Sequence, residues 1–245
     1  MIDNHNNRHS WRRTWEWGIP LIVSLLLLAC ILLTSVEAVV YWTPSWFEKE
    51  YDKYMVLEDV RGEMSMDSAL QVTNEMMKYL RGHRKNLVVY TTLDGKRQEF
   101  FSTREKQHLA DCQVLFMKGF RIRNGCGVLC VGIFLLLGWR SWKEHNREKF
   151  AGFLRKVARV NLILLGVILV VALLVVRNFD QYFVLFHHMF FNNNLWLLDP
   201  KVDNLINLLP EGFFSDTVER IMLIFIGSVL VISGIFTKVL SPIKE

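Results

Sequence analysis

Two neighbouring histidines, His187 and His188, lie among aromatic and amide side chains in residues 186–196, between two strongly apolar segments. An imidazole titrates near neutral pH, so a histidine can accept a proton and return it under physiological conditions. Just outside an apolar segment, such a group can move protons for a substrate held at a membrane surface. The stretch predicts a proton-transfer site for a lipid-sized substrate.

A second histidine with useful neighbours lies earlier in the chain. Residues 102–105 (Ser-Thr-Arg-Glu) form a capping-box pattern, which predicts the start of a helix that carries His108, Asp111 and Cys112. Positions three and four apart on a helix share a face, so His108 can contact both of the other side chains. This spacing predicts a polar cluster around His108.

Other enzyme classes lack their usual motifs in this chain. There is no G-x-S-x-G elbow, no H-E-x-x-H helix and no Gly-rich phosphate loop, which disfavours serine hydrolases, zinc proteases and nucleotide-driven pumps. His108, His187, His188 and Asp199 are suitable metal ligands by type, but no pair has a recognised ligand spacing. These residue types leave a metal site open, but their spacing does not indicate one, and we predict no cofactor.

Two acidic residues after the histidine stretch have simple structural explanations. Asp199 before Pro200 is typical of a helix N-cap with proline at the first helical position, and predicts a helix over residues 201–209. Asp203 then lies in the first turn or on a solvated face. We favour these roles over that of a catalytic carboxylate.

The elements that position these residues are predicted to be membrane-spanning helices. The chain is 51% hydrophobic and has only five prolines in 245 residues, which is typical of a helical integral membrane protein. An apolar run over residues 18–40 exceeds the about 20 residues that cross a bilayer, and aromatic residues flank it. No small-x-small cleavage site follows, so we interpret the run as a retained anchor. Residues 160–176 and 221–240 predict two more spans.

A further span over residues 125–139 is short, and the charge distribution decides in its favour. If it crosses, the N-terminal arginines and residues 140–156, with six Lys and Arg, share one side. Residues 177–218, with two Lys and Arg against five Asp and Glu, then lie on the other side, which is the positive-inside pattern. This span also puts His108 and His187 on the same side of the membrane.

We therefore predict an all-α integral membrane protein of the cell membrane, with four transmembrane helices and an extracytoplasmic α/β-hairpin insertion between helices 1 and 2. Both termini are expected in the cytoplasm and the active site at the extracytoplasmic face. The predicted segments are a cytoplasmic N-terminus (1–17), transmembrane helix 1 (18–42), an extracytoplasmic loop domain (43–124), transmembrane helix 2 (125–139), a basic cytoplasmic loop (140–157), transmembrane helix 3 (158–177), an extracytoplasmic loop with His187 (178–218) and transmembrane helix 4 (219–240).

The predicted first outer loop contains patterned segments. Residues 68–80 place side chains at helical spacing, which predicts an amphipathic helix on the membrane surface or packed against the loop domain. Residues 87–93 and 96–101 are β-rich and are joined by an Asp-Gly pair, which predicts a two-residue hairpin turn. Glu37, near the outer end of helix 1, is an ionisable group that must face protein, water or the interface.

The cysteines and the net charge limit the disulfides and the binding partners that we expect. Cys30, Cys126 and Cys130 lie in predicted spans and Cys112 has no partner in the outer loops, so the cysteines do not form a disulfide framework. Contacts with anionic lipid head groups explain the net charge of +5. No segment combines a basic stripe with a known reading module, so we predict no nucleic-acid partner.

The two histidines lie within a set of short motifs. The motifs are Met76-Met77-Lys78-Tyr79-Leu80-Arg81-Gly82, Arg104-Glu105-Lys106-Gln107-His108-Leu109-Ala110-Asp111, Phe186-His187-x-x-Phe190-Phe191, Trp196-x-x-Asp199-Pro200 and Pro210-x-x-Phe213-Phe214. With the four-span layout, they resemble the lipoprotein intramolecular transacylase family, also called Lit, of Gram-positive bacteria. The resemblance extends from about residue 18 to residue 240. Cys112 departs from the aliphatic residue expected after the aspartate.

The resemblance implies an acyl transfer on membrane lipoproteins. The acyl chain at the sn-2 position of the S-diacylglyceryl cysteine would move to the α-amino group of that same cysteine and give the lyso-form lipoprotein. Diacylglyceryl-modified lipoproteins and membrane lipids are then the expected partners, and the oligomeric state is left open. The amine must lose a proton and the glycerol oxygen must gain one, which suits histidine.

Under this resemblance we expect His187 to be the principal base and acid and His108 to be the second histidine, oriented or kept basic by Asp111. Asn193 or Asn192 could donate a hydrogen bond to the oxyanion on the ester carbonyl. The family motif favours His187 over the adjacent His188. Further supporting residues are Trp196, Glu37 and Arg104.

Three alternatives remain open from the sequence. Cys112, activated by His108, could act as a transient thioester nucleophile, although an intramolecular transfer does not require one. The chain could instead be a membrane-anchored sensor or regulatory binding protein without catalysis. A transporter is disfavoured, since the spans carry almost no ionisable groups.

Overall fold

The computed structural model describes residues 4–43, 45–60 and 62–238, with residues 4–15 described by their backbone alone. Its elements are almost all helical. In chain order they are α1 (Asn4–Trp42), α2 (Trp46–Lys53), α3 (Val56–Asp59), α4 (Met66–Leu80), β1 (Tyr90–Leu93), β2 (Lys96–Glu99), α5 (Thr103–Lys143), α6 (Arg147–Arg177), α7 (Phe179–Phe190), α8 (Asn204–Leu208) and α9 (Glu211–Lys238).

Within the described residues, four helices are long and apolar enough to cross a membrane. They are Glu16–Trp42 within α1, and α5, α6 and α9. The chain divides into two compact units, each built from parts of these helices. The first unit contains the chain up to residue 35, residues 122–173 and the chain from residue 222. The second unit contains residues 36–121 and 174–221.

The first unit has a small apolar core between helices. Leu28 and Ile31 of α1, Leu165 of α6, and Phe225 and Val229 of α9 form one buried cluster. Other apolar side chains of the first unit are largely exposed, which is typical of a surface that faces lipid. Examples are Val128, Leu135, Ile163 and Leu223.

The second unit contains the predicted hairpin and amphipathic helix. β1 and β2 pair antiparallel, and the two residues between them, Asp94 and Gly95, both have positive φ, as a two-residue hairpin turn requires. α4 begins after Ser65, whose hydroxyl accepts a hydrogen bond from the backbone N–H of Ser68. One face of α4 is buried, and Thr73 on it is hydrogen-bonded to Tyr51 of α2. This burial shows that α4 packs against the rest of its unit.

The helix bounds differ from the expected segments in several places. The helix that starts at the capping box does not end before the second span, because residues 103–143 contain no proline and form the single helix α5. The expected basic loop, 140–157, is reduced to residues 144–146 between α5 and α6. The helix expected over 219–240 begins earlier, at Glu211, and residues 239–240 lie outside the described residues.

α5 is much longer than a membrane is thick, and its two halves differ in charge. At 1.5 Å per residue, 41 residues extend about 60 Å, against about 30 Å for the apolar core of a bilayer. Seven charged residues lie between Arg104 and Arg123, whereas residues 124–139 contain none. The part of α5 that is apolar enough to cross a membrane is therefore its second half. His108, Asp111 and Cys112 lie outside it.

Candidate active site

His108 is held near the start of α5 by the capping box. The backbone N–H of Ser102 donates to the carboxylate of Glu105, and the backbone N–H of Glu105 donates to the Ser102 hydroxyl at 3.2 Å. One turn later, the His108 side chain is buried, with 7% of its surface exposed. The local sequence thus fixes both the start of the helix and the position of this histidine.

His187 lies on the buried face of α7. Its Nδ1 is 2.7 Å from the carbonyl oxygen of Phe183, one turn earlier. A carbonyl can only accept, so Nδ1 carries the proton and Nε2 keeps a free lone pair. His187 is 8% exposed, whereas the neighbouring His188 is exposed and meets the Trp196 ring edge-to-face, at 5.1 Å between ring centroids.

The two predicted histidines come together in this structure. The ring centroids of His108 and His187 are 6.1 Å apart, and Phe191 packs against both rings at 5.3 and 5.7 Å. Trp196 stacks on His187 at 4.7 Å with the ring planes inclined by 25°. The histidine pair is therefore enclosed by aromatic rings rather than exposed to water.

Polar contacts tie the loop after α7 to the first turns of α5. Arg104 donates to the backbone carbonyl of Asn194 at 2.7 Å, and the side-chain amide of Asn193 donates to Asp111 at 2.8 Å. The carboxylate of Glu105 also accepts the backbone N–H of Leu205, at the start of α8. These bonds link the segment that carries His108 to the segment that follows His187.

Two acidic residues differ from the sequence prediction. Asp199 does not cap a helix that starts at Pro200, because its carboxylate accepts the backbone N–H of Lys201 in a turn and α8 begins only at Asn204. Asp203 is 5% exposed rather than solvated, since its carboxylate accepts from the Ser102 hydroxyl at 3.3 Å and from the backbone N–H of Asp199 at 2.9 Å. Asp203 and Glu105 thus belong to the link between the two segments.

The predicted supporting residues near His108 have partners other than the histidine. Asp111 accepts from Asn193, and no hydrogen bond joins it to His108. The Asn193 side-chain oxygen accepts from the backbone N–H of Leu195 at 3.0 Å, so both ends of this amide are engaged. Asn192 is exposed. Asp111 therefore acts on His108 through its charge, and Asn193 serves the loop.

Burial keeps both histidines neutral. It lowers the pKa of His108 to about 4, an effect that the charge of His187 would increase and that of Asp111 opposes. Burial also lowers the pKa of His187, although the hydrogen bond to Phe183 works in the other direction. Near pH 7 each ring is therefore an imidazole that can accept a proton.

Cys112 contacts His108 as the helical spacing predicted, but its side chain is a protonated thiol and not a thiolate. Its Sγ is 3.6 Å from His108 Nε2. Burial raises the pKa of Cys112 to about 12, and the charge of Asp111 adds to this effect. A protonated thiol is a poor nucleophile, which disfavours the thioester route.

Glu37 has a partner that the sequence did not indicate. Its buried carboxylate accepts from the Arg81 guanidinium at 2.6 Å, and that guanidinium lies 4.8 Å from the centre of the Tyr41 ring. Arg81 belongs to the motif at residues 76–82, so this ion pair connects α1 to the end of α4.

For metal binding, no three His, Cys, Asp or Glu side chains are grouped suitably among the described residues.

Comparison with known proteins places the chain in a family. The family model of the lipoprotein intramolecular transacylase Lit matches residues 21–214, which is most of the chain. The chain belongs to this family. Members of the Lit family are acyltransferases. A search of curated proteins gave no match.

Solved structures of the membrane integral lipoprotein intramolecular transacylase Lit from Bacillus cereus share the fold. One is 23% identical, with a TM-score of 0.70 over 91% of this chain and 94% of that one. A histidine-to-alanine mutant and a histidine-to-arginine mutant are each 22% identical over 94% of this chain, with 95% and 94% of their own chains covered. Their TM-scores are 0.68 and 0.67. The fold is thus that of a membrane-integral protein.

In this member of the Lit family, the motifs that contain His108, His187 and Trp196 form one connected cluster. Arg104 and Asp111 bond the loop that carries Trp196, and His108 and His187 share Phe191 as a neighbour. The sequence could not identify Asp203 as part of this cluster, because its type and position predicted a solvated residue. The only feature of the sequence that could have indicated a buried role for Asp203 was its position between Asp199 and an apolar run.

Replacing Glu105 by Gln should loosen the link between α5 and α8. Glutamine has one acceptor oxygen, so the N–H of Ser102 or of Leu205 loses its partner, which costs about 1–3 kcal/mol when buried. We expect a lower melting temperature in detergent and a roughly 10- to 100-fold loss of acyl transfer through misplacement of His108. Glu58→Gln, at an exposed carboxylate of the same unit, is the control. Unchanged stability and activity in Glu105→Gln would show that the link is unimportant.

Acid should destabilise the protein through His108. The pKa of His108 is about 4 in the folded protein and 6.5 ordinarily, so protons bind the unfolded chain more tightly than the folded one. The free energy of unfolding is therefore not reduced by this group above pH 6.5, and falls as the pH drops from 6.5 towards 4. From pH 7.5 to pH 5, the free energy of unfolding should drop by about 2 kcal/mol for this group. His108→Gln should flatten the pH dependence of unfolding in detergent, and His83→Gln, at an exposed histidine, should not. An equal slope in wild type and His108→Gln would contradict the assignment.

Proposed function

We propose that this protein moves the sn-2 acyl chain of an S-diacylglyceryl cysteine to the α-amino group of the same cysteine and so makes lyso-form lipoproteins. Membership of the Lit family supports the general reaction. The observation that carries the specific chemistry is the pair of buried, neutral histidines 6.1 Å apart, with Nε2 of His187 free to accept a proton.

Proton transfer between the two reacting groups is the task of His187. The neutral α-amine attacks the ester carbonyl carbon and forms the C–N bond, and His187 Nε2 takes the proton released from nitrogen. As the C–O bond to glycerol breaks, the imidazolium returns that proton to the glycerol oxygen. In total, the acyl group moves from the glycerol oxygen to the nitrogen and one proton moves from the nitrogen to the glycerol oxygen. No other reactant is needed.

His108 acts as the second histidine of the site. It contacts the ring of His187 while remaining neutral, so it does not repel the imidazolium that forms during the reaction. Asp111 favours positive charge in this region through its own charge. We assign His108 to substrate contact, because its Nδ1 is buried with no hydrogen-bond partner among the described residues.

The reaction needs no acyl-enzyme. Amine and ester belong to one molecule, so holding them together supplies an effective molarity that reaches 10⁵ M or more in well-oriented systems, by order of magnitude. The protonated state of Cys112 is consistent with such a direct transfer.

The surroundings of His187 suit a lipid substrate. On the outward side of α7, Leu185, Phe186, Met189 and Phe190 are all exposed. Residues 181–198 carry no charged side chain. An apolar face of this kind is stable against acyl chains rather than water, which supports a position of His187 near the lipid esters. Membrane lipids are accordingly proposed as neighbours of the site.

We further propose that the site faces the extracytoplasmic side, with both termini in the cytoplasm. Six Lys and Arg in residues 140–156, against two in residues 177–218, support this orientation.

The decisive test expresses the protein in a host that makes only diacylglyceryl lipoproteins. Mass spectrometry of the N-terminal lipopeptide should show the lyso-form. In His187→Ala and His108→Ala, conversion should fall by at least roughly 100-fold, which is the scale of lost acid–base catalysis. His188→Ala should convert like wild type. If the amino group stays free while wild-type protein is present in the membrane, a sensor or binding role replaces the enzyme.

Cys112→Ala should retain activity. The thiol is protonated at neutral pH and the direct transfer does not use it. The same lipopeptide assay compares it with Cys126→Ala, at a cysteine in the span. Loss of conversion in a stably folded Cys112→Ala protein would restore the thioester route.

A further inference from the structure

Trp196 has a polar atom that the reaction above does not use. The side chain is 9% exposed, and its indole Nε1 is buried without a hydrogen-bond partner among the residues that the structure describes. Trp46, another buried tryptophan of the same unit, donates its Nε1–H to the hydroxyl of Thr217 at 3.2 Å. The two indoles therefore differ in whether the protein itself supplies an acceptor.

An unpaired indole N–H is unfavourable in a folded protein. Buried tryptophans usually find an acceptor, and a buried donor without one costs about 1–3 kcal/mol. That cost is regained when an acceptor from a bound molecule reaches the N–H. A donor kept in this way is suited to an oxygen that gains charge during a reaction.

The position of Trp196 relative to His187 makes the reacting ester the natural acceptor. Its ring stacks on the imidazole at 4.7 Å between centroids. The loop that carries it is fixed immediately upstream by the bonds of Asn193 to Asp111 and of Arg104 to the Asn194 carbonyl. A donor on such a tied loop is preorganised beside the base.

Other donors near His187 are less suitable. The amide of Asn193 already donates to Asp111 and accepts from Leu195, and Asn192 is exposed to solvent. A hydrogen bond to a developing oxyanion is strongest where water is excluded. The buried Trp196 Nε1 meets this condition, whereas the exposed Asn192 side chain does not.

We propose that the indole N–H of Trp196 donates to the carbonyl oxygen of the sn-2 ester when that oxygen becomes an oxyanion. This assignment rests on the proposed function. When the amine attacks the carbonyl carbon, the C=O π pair moves to oxygen and the indole N–H stabilises it. When the C=O bond reforms, the C–O bond to glycerol breaks and the glycerol oxygen takes its proton from His187.

Trp196→Phe tests this role because it keeps an aromatic ring on His187 and removes the N–H. With a synthetic diacylglyceryl lipopeptide in proteoliposomes, kcat should fall by roughly 100-fold while KM changes little. Incorporation of benzothienylalanine at position 196 keeps the indole shape without the N–H, and should show the same loss. Trp46→Phe is the matched control, and should lower the melting temperature without changing kcat of the folded protein.

The outcomes separate this proposal from the proposed function. Wild type that makes no lyso-form lipopeptide removes the function itself. Active wild type with full kcat in both position-196 variants, or with only KM raised, overturns the role of Trp196. If Trp196→Phe does not fold, the benzothienylalanine protein decides, since its side chain has the same outline. An equal loss of kcat in Trp46→Phe would also overturn the proposal.

Discussion

The carboxylate of Glu105 is the contact on which the rest of the site depends. It accepts the backbone N–H of Ser102 at the start of α5 and the backbone N–H of Leu205 at the start of α8, and its side chain is 1% exposed. One acceptor group thus completes two helix starts that are far apart in sequence. The Leu205 donor is buried and would otherwise lack a partner, so this carboxylate stabilises the two segments together.

This link has a chemical consequence at the histidines. With α5 and the loop after α7 held together, the rings of His108 and His187 share the aromatic surroundings of Phe191 and Trp196. Exclusion of water lowers the pKa of both rings, and the Phe183 carbonyl sets the tautomer of His187. Packing that stabilises the fold therefore also prepares a neutral base with its lone pair free.

The sequence predicted the parts whose signals are local. Apolar runs indicated four spans, an Asp-Gly pair between β-rich segments indicated the hairpin, and the spacing of Ser102 and Glu105 indicated a helix start. The pairing of His108 with His187 followed from topology and family resemblance together. Except for this pairing, the patterns depend on neighbours within a few residues or on overall hydrophobicity.

Features that depend on distant partners could not be predicted. Asp203 was expected in the first turn of a helix or on a solvated face, but the Ser102 hydroxyl and the Asp199 N–H allow it to be buried. Asp111 was expected to orient His108 or keep it basic, and the hydrogen bond that it accepts from the Asn193 amide was not foreseen. The length of α5 was missed because a change from polar to apolar composition does not by itself interrupt a helix. Long-range contacts decided the cases of Asp203 and Asp111, whereas the continuity of the helix decided the length of α5.

The central claim is that the acyl chain passes directly between two groups of one substrate beside the histidine pair. A crossover measurement tests it most directly. Purified protein receives a mixture of two diacyl lipopeptides, one with a deuterated sn-2 chain on a light peptide and one with an ordinary chain on a heavy-isotope peptide. Mass spectrometry of the lyso-form products should show each peptide with its own original chain. Products that combine the heavy peptide with the deuterated chain would contradict the account.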